Sequence, residues 1–162
     1  MTKRLILIRH AKSSWDHYGP DHDRPLNNRG YKSAPAIGNW LRDHGYVPDA
    51  VLSSSAKRTR ETYDGLGFDV PGRFERALYL ADSGTMLSEL RSETADVVLM
   101  LGHNPGIADF AGRLVASRPE HVRFYDYPTC ATTVMDFDID DWAELQYGTG
   151  QVLDFVIPRE LT

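Results

Sequence analysis

The sequence predicts an α/β fold, a three-layer α/β/α sandwich with a mostly parallel, mixed central sheet, and three observations carry that expectation. Short apolar runs at residues 5–8, 49–53, 73–80 and 96–101 alternate with stretches of helical periodicity, the pattern of a layered α/β chain. The runs are nearly unbroken in apolar character, as central parallel strands covered on both faces require. Near the end, Thr133, Met135, Phe137 and Ile139 alternate with Thr132, Val134, Asp136 and Asp138, and residues 152–157 follow a glycine-containing turn, so an antiparallel pair closes the sheet.

Taken in order, Leu5-Ile6-Leu7-Ile8 is a buried first strand. A helix is expected over residues 28–44, but Pro35 removes a backbone donor there, which moves its expected start toward Ala34. Residues 49–53 form the second strand. The serines Ser53-Ser54-Ser55 that follow are expected to cap the next helix and to place Arg58 in its first turn. Residues 73–80 make a weaker third strand, after which Ser83 caps a helix carrying Met86, Leu87 and Leu90. The fourth strand, 96–101, leads to Asn104 as N-cap and Pro105 as first helical residue, with Ile107, Phe110, Ala111, Leu114 and Val115 on one face.

Length and composition set outer bounds. The 162 residues, 41% hydrophobic and 25% charged, suit one domain spanning 1–162. No stretch is long enough for a membrane span, and Arg9 and His10 end the first apolar run too early for a signal peptide. Cys130 is the only cysteine, which excludes an internal disulfide framework and a cysteine-built zinc cluster and makes the cytoplasm the expected compartment. A formal net charge of −5 argues against nucleic-acid binding, so any anion specificity has to be local.

The chemistry concentrates at strand ends. Ile8-Arg9-His10 closes the first apolar run and Leu101-Gly102-His103-Asn104-Pro105-Gly106 closes another. In an open α/β sheet, ligands bind outside the carboxyl ends of strands near the switch in strand order. A phosphoryl group in flight spreads charge over three oxygens, so its catalysts are positioning and fixed positive charge. Arginine supplies forked donors, and a neutral imidazole supplies a nitrogen nucleophile. Neighbouring side chains on a strand point oppositely, so Arg9 and His10 converge on one ligand only where the strand has ended. Arg58 and His103 add further positive charge and an imidazole at helix starts, where backbone donors and the dipole favour anions.

Arg9-His10-Ala11, the serine-rich turn before Arg58 and Thr62, and Gly102-His103-Asn104-Pro105-Gly106 together resemble the histidine phosphatase superfamily, whose fold is phosphoglycerate mutase-like. The likeness extends through Asp23-Arg24-Pro25-Leu26-Asn27-Asn28-Arg29-Gly30 and covers roughly the first two thirds of the chain. Arg9-His10-Ala11-Lys12-Ser13-Ser14-Trp15 and Asp23-Arg24-Pro25-Leu26 are most similar to the small SixA-type phosphohistidine phosphatases. The resemblance implies that His10 is the nucleophile, passing through a transient phosphohistidine. It implies that Arg9, Arg58 and His103 hold the phosphoryl oxygens; the two arginines and a charged His103 would neutralise them, and Arg24 is a candidate substrate contact. No metal and no cofactor is required, and a backbone carbonyl is the expected partner for the second ring nitrogen of His10.

The general acid is less defined. Superfamily relatives carry a glutamate after the second arginine or an aspartate after the second histidine; Asn104 stands at the latter position and Asp82 is the nearest substitute for the former. Without an acid, a phosphoramidate such as phosphohistidine is the better substrate, because imidazole leaves more easily than alkoxide. Asp16 departs from the asparagine common in mutase-like members and is expected to turn away or to pair with Lys12 or Arg24.

Each feature also has a plain structural explanation. Arg24 serves equally as an ion-pair partner, Lys12 and the serines as solvated loop, Trp15, Trp40 and Trp142 as packing, and His17, His22, His44 and His121 as exposed or partly packed rings. Three function classes follow. The first is a metal-independent phosphatase acting on phosphohistidine protein or on a small phosphorylated molecule, and the second a catalytically silent phosphate-binding module on the same fold. The third, a histidine metal site, is disfavoured because His10, His17 and His22 lack a ligand spacing.

Overall fold

A computed structural model describes residues 1–162. Six strands form one sheet: β1 Lys3–Arg9, β2 Ala50–Ser54, β3 Gly72–Glu75, β4 Val97–Gly102, β5 Thr132–Phe137 and β6 Gln151–Val156. They lie in the order β3-β2-β4-β1-β5-β6. The β3-β2, β2-β4 and β4-β1 pairs are parallel, and β5 pairs antiparallel with both β1 and β6. The sheet is therefore mixed, with its antiparallel part at the chain's end as its alternating pattern predicts.

Four helices cover the sheet: α1 Asn28–Asp43, α2 Lys57–Leu66, α3 Ser83–Arg91 and α4 Gly106–Leu114. Alternation along the strands assigns each face. Leu5 and Leu7 of β1 and Val98 and Met100 of β4 join a core with Met86, Leu90, Phe110 and Leu114 from α3 and α4. Ile6, Ile8, Leu99 and Leu101 face the other way, into a core with Ile37, Leu41, Tyr63 and Leu66 from α1 and α2. The chain leaves β1 with α1 on one face and leaves β4 with α4 on the other, so the switch in direction falls between β1 and β4. Register pairs Arg9 with Gly102, which brings the carboxyl ends of these two strands level.

Local structure departs from expectation at the start of α1, at the end of β3 and at the helix caps. α1 runs through Pro35 as one helix from Asn28, because Asn27 caps it by accepting from Gly30 N at 2.9 Å and its buried face is already anchored. A Cβ on Gly30 would stand 2.2 Å from the Lys12 carbonyl oxygen, so only glycine lets the helix start this close to the loop after β1. β3 stops at Glu75 and gives way to a 3-10 turn over Arg76–Leu78. The caps differ as well: Asp82, not Ser83, caps α3 by accepting from Thr85 N, and α2 starts after Ala56 with no side-chain cap. α4 begins at Gly106 after a cis Asn104–Pro105 bond, with Asn104 Oδ1 still accepting from Ala108 N at 3.2 Å.

Candidate active site

The loop after β1 is locked before any side chain is considered. Ala11 N donates to Thr62 Oγ1 at 2.9 Å, Thr62 donates in turn to the Arg58 carbonyl, and Asn27 N donates to the Lys12 carbonyl. Cys130 N donates to the His10 carbonyl, and His10 N to the Gly102 carbonyl. Four separate segments of the chain thus tie down residues 10–12 through hydrogen bonds to their backbone, so the loop just past the strand end is anchored much as the strand itself is.

His10 is 5% exposed, and its Nδ1 lies 2.7 Å from the Ala11 carbonyl oxygen. A carbonyl only accepts, so Nδ1 carries the proton and Nε2 keeps a free lone pair. Burial drives the His10 pKa down to about 3; the Ala11 hydrogen bond opposes this, and Arg9, Arg58 and Arg24 add to it. The ring is neutral at physiological pH.

His103 lies with its ring centroid 5.3 Å from that of His10, its Nε2 2.8 Å from Ser54 Oγ. Burial, then the neighbouring His10 and Arg58, lower its pKa to about 2. This differs from the charged His103 expected above: two imidazoles buried beside three arginines cannot hold a further proton unless an anion faces them.

Arg58 is buried, with its guanidinium donating to the Asp21 carbonyl at 2.9 Å and to Asp21 Oδ2 at 3.1 Å. Arg9 donates through Nη1 to the Tyr127 carbonyl at 3.1 Å, and burial lowers its pKa, with Asp126 opposing and Arg58 adding. Three of the four buried polar side-chain atoms without a partner in the chain are Arg9 Nε, Arg58 Nε and His103 Nδ1. Buried donors are normally paired, so the cost of leaving them unpaired is concentrated here.

A cleft of about 430 Å³ gathers Arg9, His10, Arg24, Arg58 and His103, together with Lys12, Ser13 and Asp21. Every predicted site residue therefore reaches one concavity. Arg24 is also an ion-pair partner: it meets Asp21 at 3.1 Å, donates to Ser13 Oγ and lies 4.1 Å over the Trp15 ring. Trp15 corrects the packing expectation, since it is 79% exposed at the rim, whereas Trp142 is fully buried. Asp16 neither lines the cleft nor pairs with Lys12 or Arg24. Asp82 lies outside the cleft; its hydrogen bond to the Thr85 backbone keeps its carboxyl below the usual range, so it is an ionised helix cap and not a proton donor.

Sequence reasoning missed Asp21 and Tyr79. Asp21 is the only carboxylate lining the cleft; the Tyr79 hydroxyl, with Arg58 and Arg24, holds its pKa at about 2 against the opposing effect of burial. Tyr79 also stands edge-on to His103, 5.5 Å between centroids. The spacing of Asp21 and Arg24, three apart in a short turn, was the available signal for Asp21. The expected capping serines do other work: Ser54 holds His103, and Ser55 Oγ lies 2.7 Å from His22 Nε2. Cys130 is fully buried, and burial pushes its thiol up to about 12, so it is no nucleophile.

With this geometry in place, comparisons with known proteins are informative. Residues 5–79 match the histidine phosphatase superfamily (branch 1). An uncharacterised protein of Mycobacterium tuberculosis is 33% identical over 159 residues, covering 94% of this chain and 100% of the relative. A solved structure assigned as phosphohistidine phosphatase SixA of Agrobacterium tumefaciens is 30% identical with TM-score 0.79, covering 96% of this chain and 98% of that one. Another with the same assignment, from Nakamurella multipartitia, is 28% identical with TM-score 0.85, covering 98% and 97%.

Proposed function

The chain belongs to the histidine phosphatase superfamily and is a SixA-like phosphatase, and from that premise we propose that it hydrolyses phosphohistidine through a covalent intermediate on His10. The observation that carries this reading is the pairing of a neutral, oriented His10 with a cleft whose single carboxylate is ionised.

His10 Nε2 attacks phosphorus as the bond to the leaving nitrogen breaks, and Nδ1–H stays on the Ala11 carbonyl, which supports the positive charge that develops on the ring. Arg9, Arg58 and His103 face the three phosphoryl oxygens, the arginines with charge already fixed and His103 gaining a proton as the dianion arrives. Water then attacks phosphorus from the vacated side, the His10–phosphorus bond breaks, and inorganic phosphate leaves with His10 neutral again.

A phosphate ester would need a proton delivered to its alkoxide, and Asp21, held near 2 by Tyr79 and two arginines, has none to give at neutral pH. An imidazole leaving group makes a much weaker demand, because a phosphohistidine ring already protonated on its other nitrogen departs as neutral imidazole with no proton taken from the protein. The buried, unpaired Cys130 supports a reducing compartment, hence the cytoplasm. The test is a matched screen of phosphohistidine protein against a panel of phosphomonoesters, with chelator present throughout. Preferential turnover of phosphohistidine is expected; faster turnover of alkyl phosphates would overturn the substrate assignment.

A further inference from the structure

A second concavity of about 350 Å³ opens beside the cleft and shares Arg9, Lys12 and Thr129 with it. Arg29, Arg123 and Arg159 complete a basic wall in a protein whose net charge is −5. The only acid in that wall, Asp126, is already bound by Arg123 at 3.0 Å. Glu160, next to Arg159, is engaged by His121 at 3.3 Å and by the Ile157 backbone. Lys12, Arg29 and Arg159 are exposed and have no carboxylate partner.

The fold builds this cluster and holds it. The close approach of Gly30 to the Lys12 carbonyl, together with Asn27 N donating to that carbonyl, fixes the start of α1, and so Arg29, against the catalytic loop. Asn104 Nδ2 donates to the carbonyls of Asp126 and Tyr127, which ties the loop carrying Arg123 to the segment after His103. Ile157 is the sole hydrophobic residue of the lining, so the groove offers little to a nucleobase or an acyl chain. Unpaired cations concentrated in an otherwise acidic protein attract and orient negative charge.

We propose that this groove is a second anion subsite, holding a phosphate or carboxylate group carried on the leaving group of the substrate while the scissile phosphoryl group sits at His10. The inference rests on the reading of the His10 cleft as the phosphoryl site. Its source is either a small molecule bearing a second phosphate or acidic side chains beside a phosphohistidine.

The test compares wild type with an Arg29→Gln, Arg159→Gln double variant on two matched pairs. One is ribose 5-phosphate against ribose 1,5-bisphosphate; the other is phosphohistidine peptides flanked by serine against the same peptides flanked by aspartate. Loss of two exposed charge contacts is expected to lower kcat/KM about tenfold for the doubly anionic member of one pair. The singly anionic member is expected to change by less than about twofold. The pair that responds identifies the source. Equal losses in both members, or none in either, would overturn the subsite.

Calorimetry with tripolyphosphate and inorganic phosphate keeps the two readings distinguishable. If no phosphoryl substrate turns over, yet the variant binds tripolyphosphate about tenfold more weakly with phosphate binding unchanged, the subsite stands and the hydrolysis reading falls. Unchanged tripolyphosphate affinity overturns the subsite whether or not turnover occurs.

Discussion

Acidifying the protein from pH 6.5 to pH 4.5 is expected to expose the cost of burying two neutral imidazoles. His10 and His103 are held at about 3 and about 2 in the folded chain, chiefly by burial, so both remain unprotonated throughout this range. In the unfolded chain a histidine titrates near 6.5 and gains its proton as the pH falls. The unfolded state therefore binds more protons, and stability declines with acid through this window. Each ring contributes about 2 kcal/mol over the two pH units, the pair about 4 to 5 kcal/mol, a large share of a typical 5 to 15 kcal/mol total. Depressed carboxylates such as Asp21 lose their contribution only at lower pH, so the window isolates histidine. Urea unfolding at both pH values, on wild type and on a His10→Asn, His103→Asn double variant, measures the difference, because the other histidines are common to both proteins. The variant is expected to lose about 4 kcal/mol less than wild type. Equal losses would refute the claim that the two rings are buried and neutral.

Two further outcomes follow from the same geometry. Arg58→Ala removes a buried guanidinium from the cleft and is expected to weaken vanadate binding by about 2 to 4 kcal/mol, roughly 30- to 700-fold; unchanged affinity by calorimetry would remove Arg58 from the anion site. Asp82→Ala removes the cap of α3 and is expected to lower the melting temperature while leaving turnover intact, whereas a loss of roughly a hundredfold or more, the scale of a general acid, would return Asp82 to the chemistry.

The strands and the convergence of Arg9, His10, Arg58, Arg24 and His103 on one concavity were legible because they depend on local signals: apolar runs that stop abruptly, and cations placed where those runs stop. What escaped depends on tertiary partners. Asp21 lies in a Pro-Asp-His-Asp turn with no periodicity, and only the folded chain shows that it joins Arg58 of α2, Arg24 and Tyr79. Pro35 argued for a helix starting only near Ala34, yet packing and the Asn27 cap outweigh one missing donor. The serine run suggested capping by propensity, while the fold uses Ser54 to hold an imidazole. Trp15 was assigned to packing by residue type alone, and its exposed position beneath Arg24 follows from a loop that periodicity does not describe. Tyr127 was likewise unmarked, although its hydroxyl donates to the Leu7 carbonyl at 2.7 Å and its own carbonyl receives Arg9.

Rapid quench of the enzyme with phosphohistidine protein labelled with radioactive phosphate, followed by mass spectrometry of the modified peptide, addresses the nucleophile directly. An acid-labile phosphoryl group on Nε2 of His10 is expected in wild type, with neither label nor turnover in His10→Ala. Label on another residue, or wild-type turnover by His10→Ala, would contradict the account.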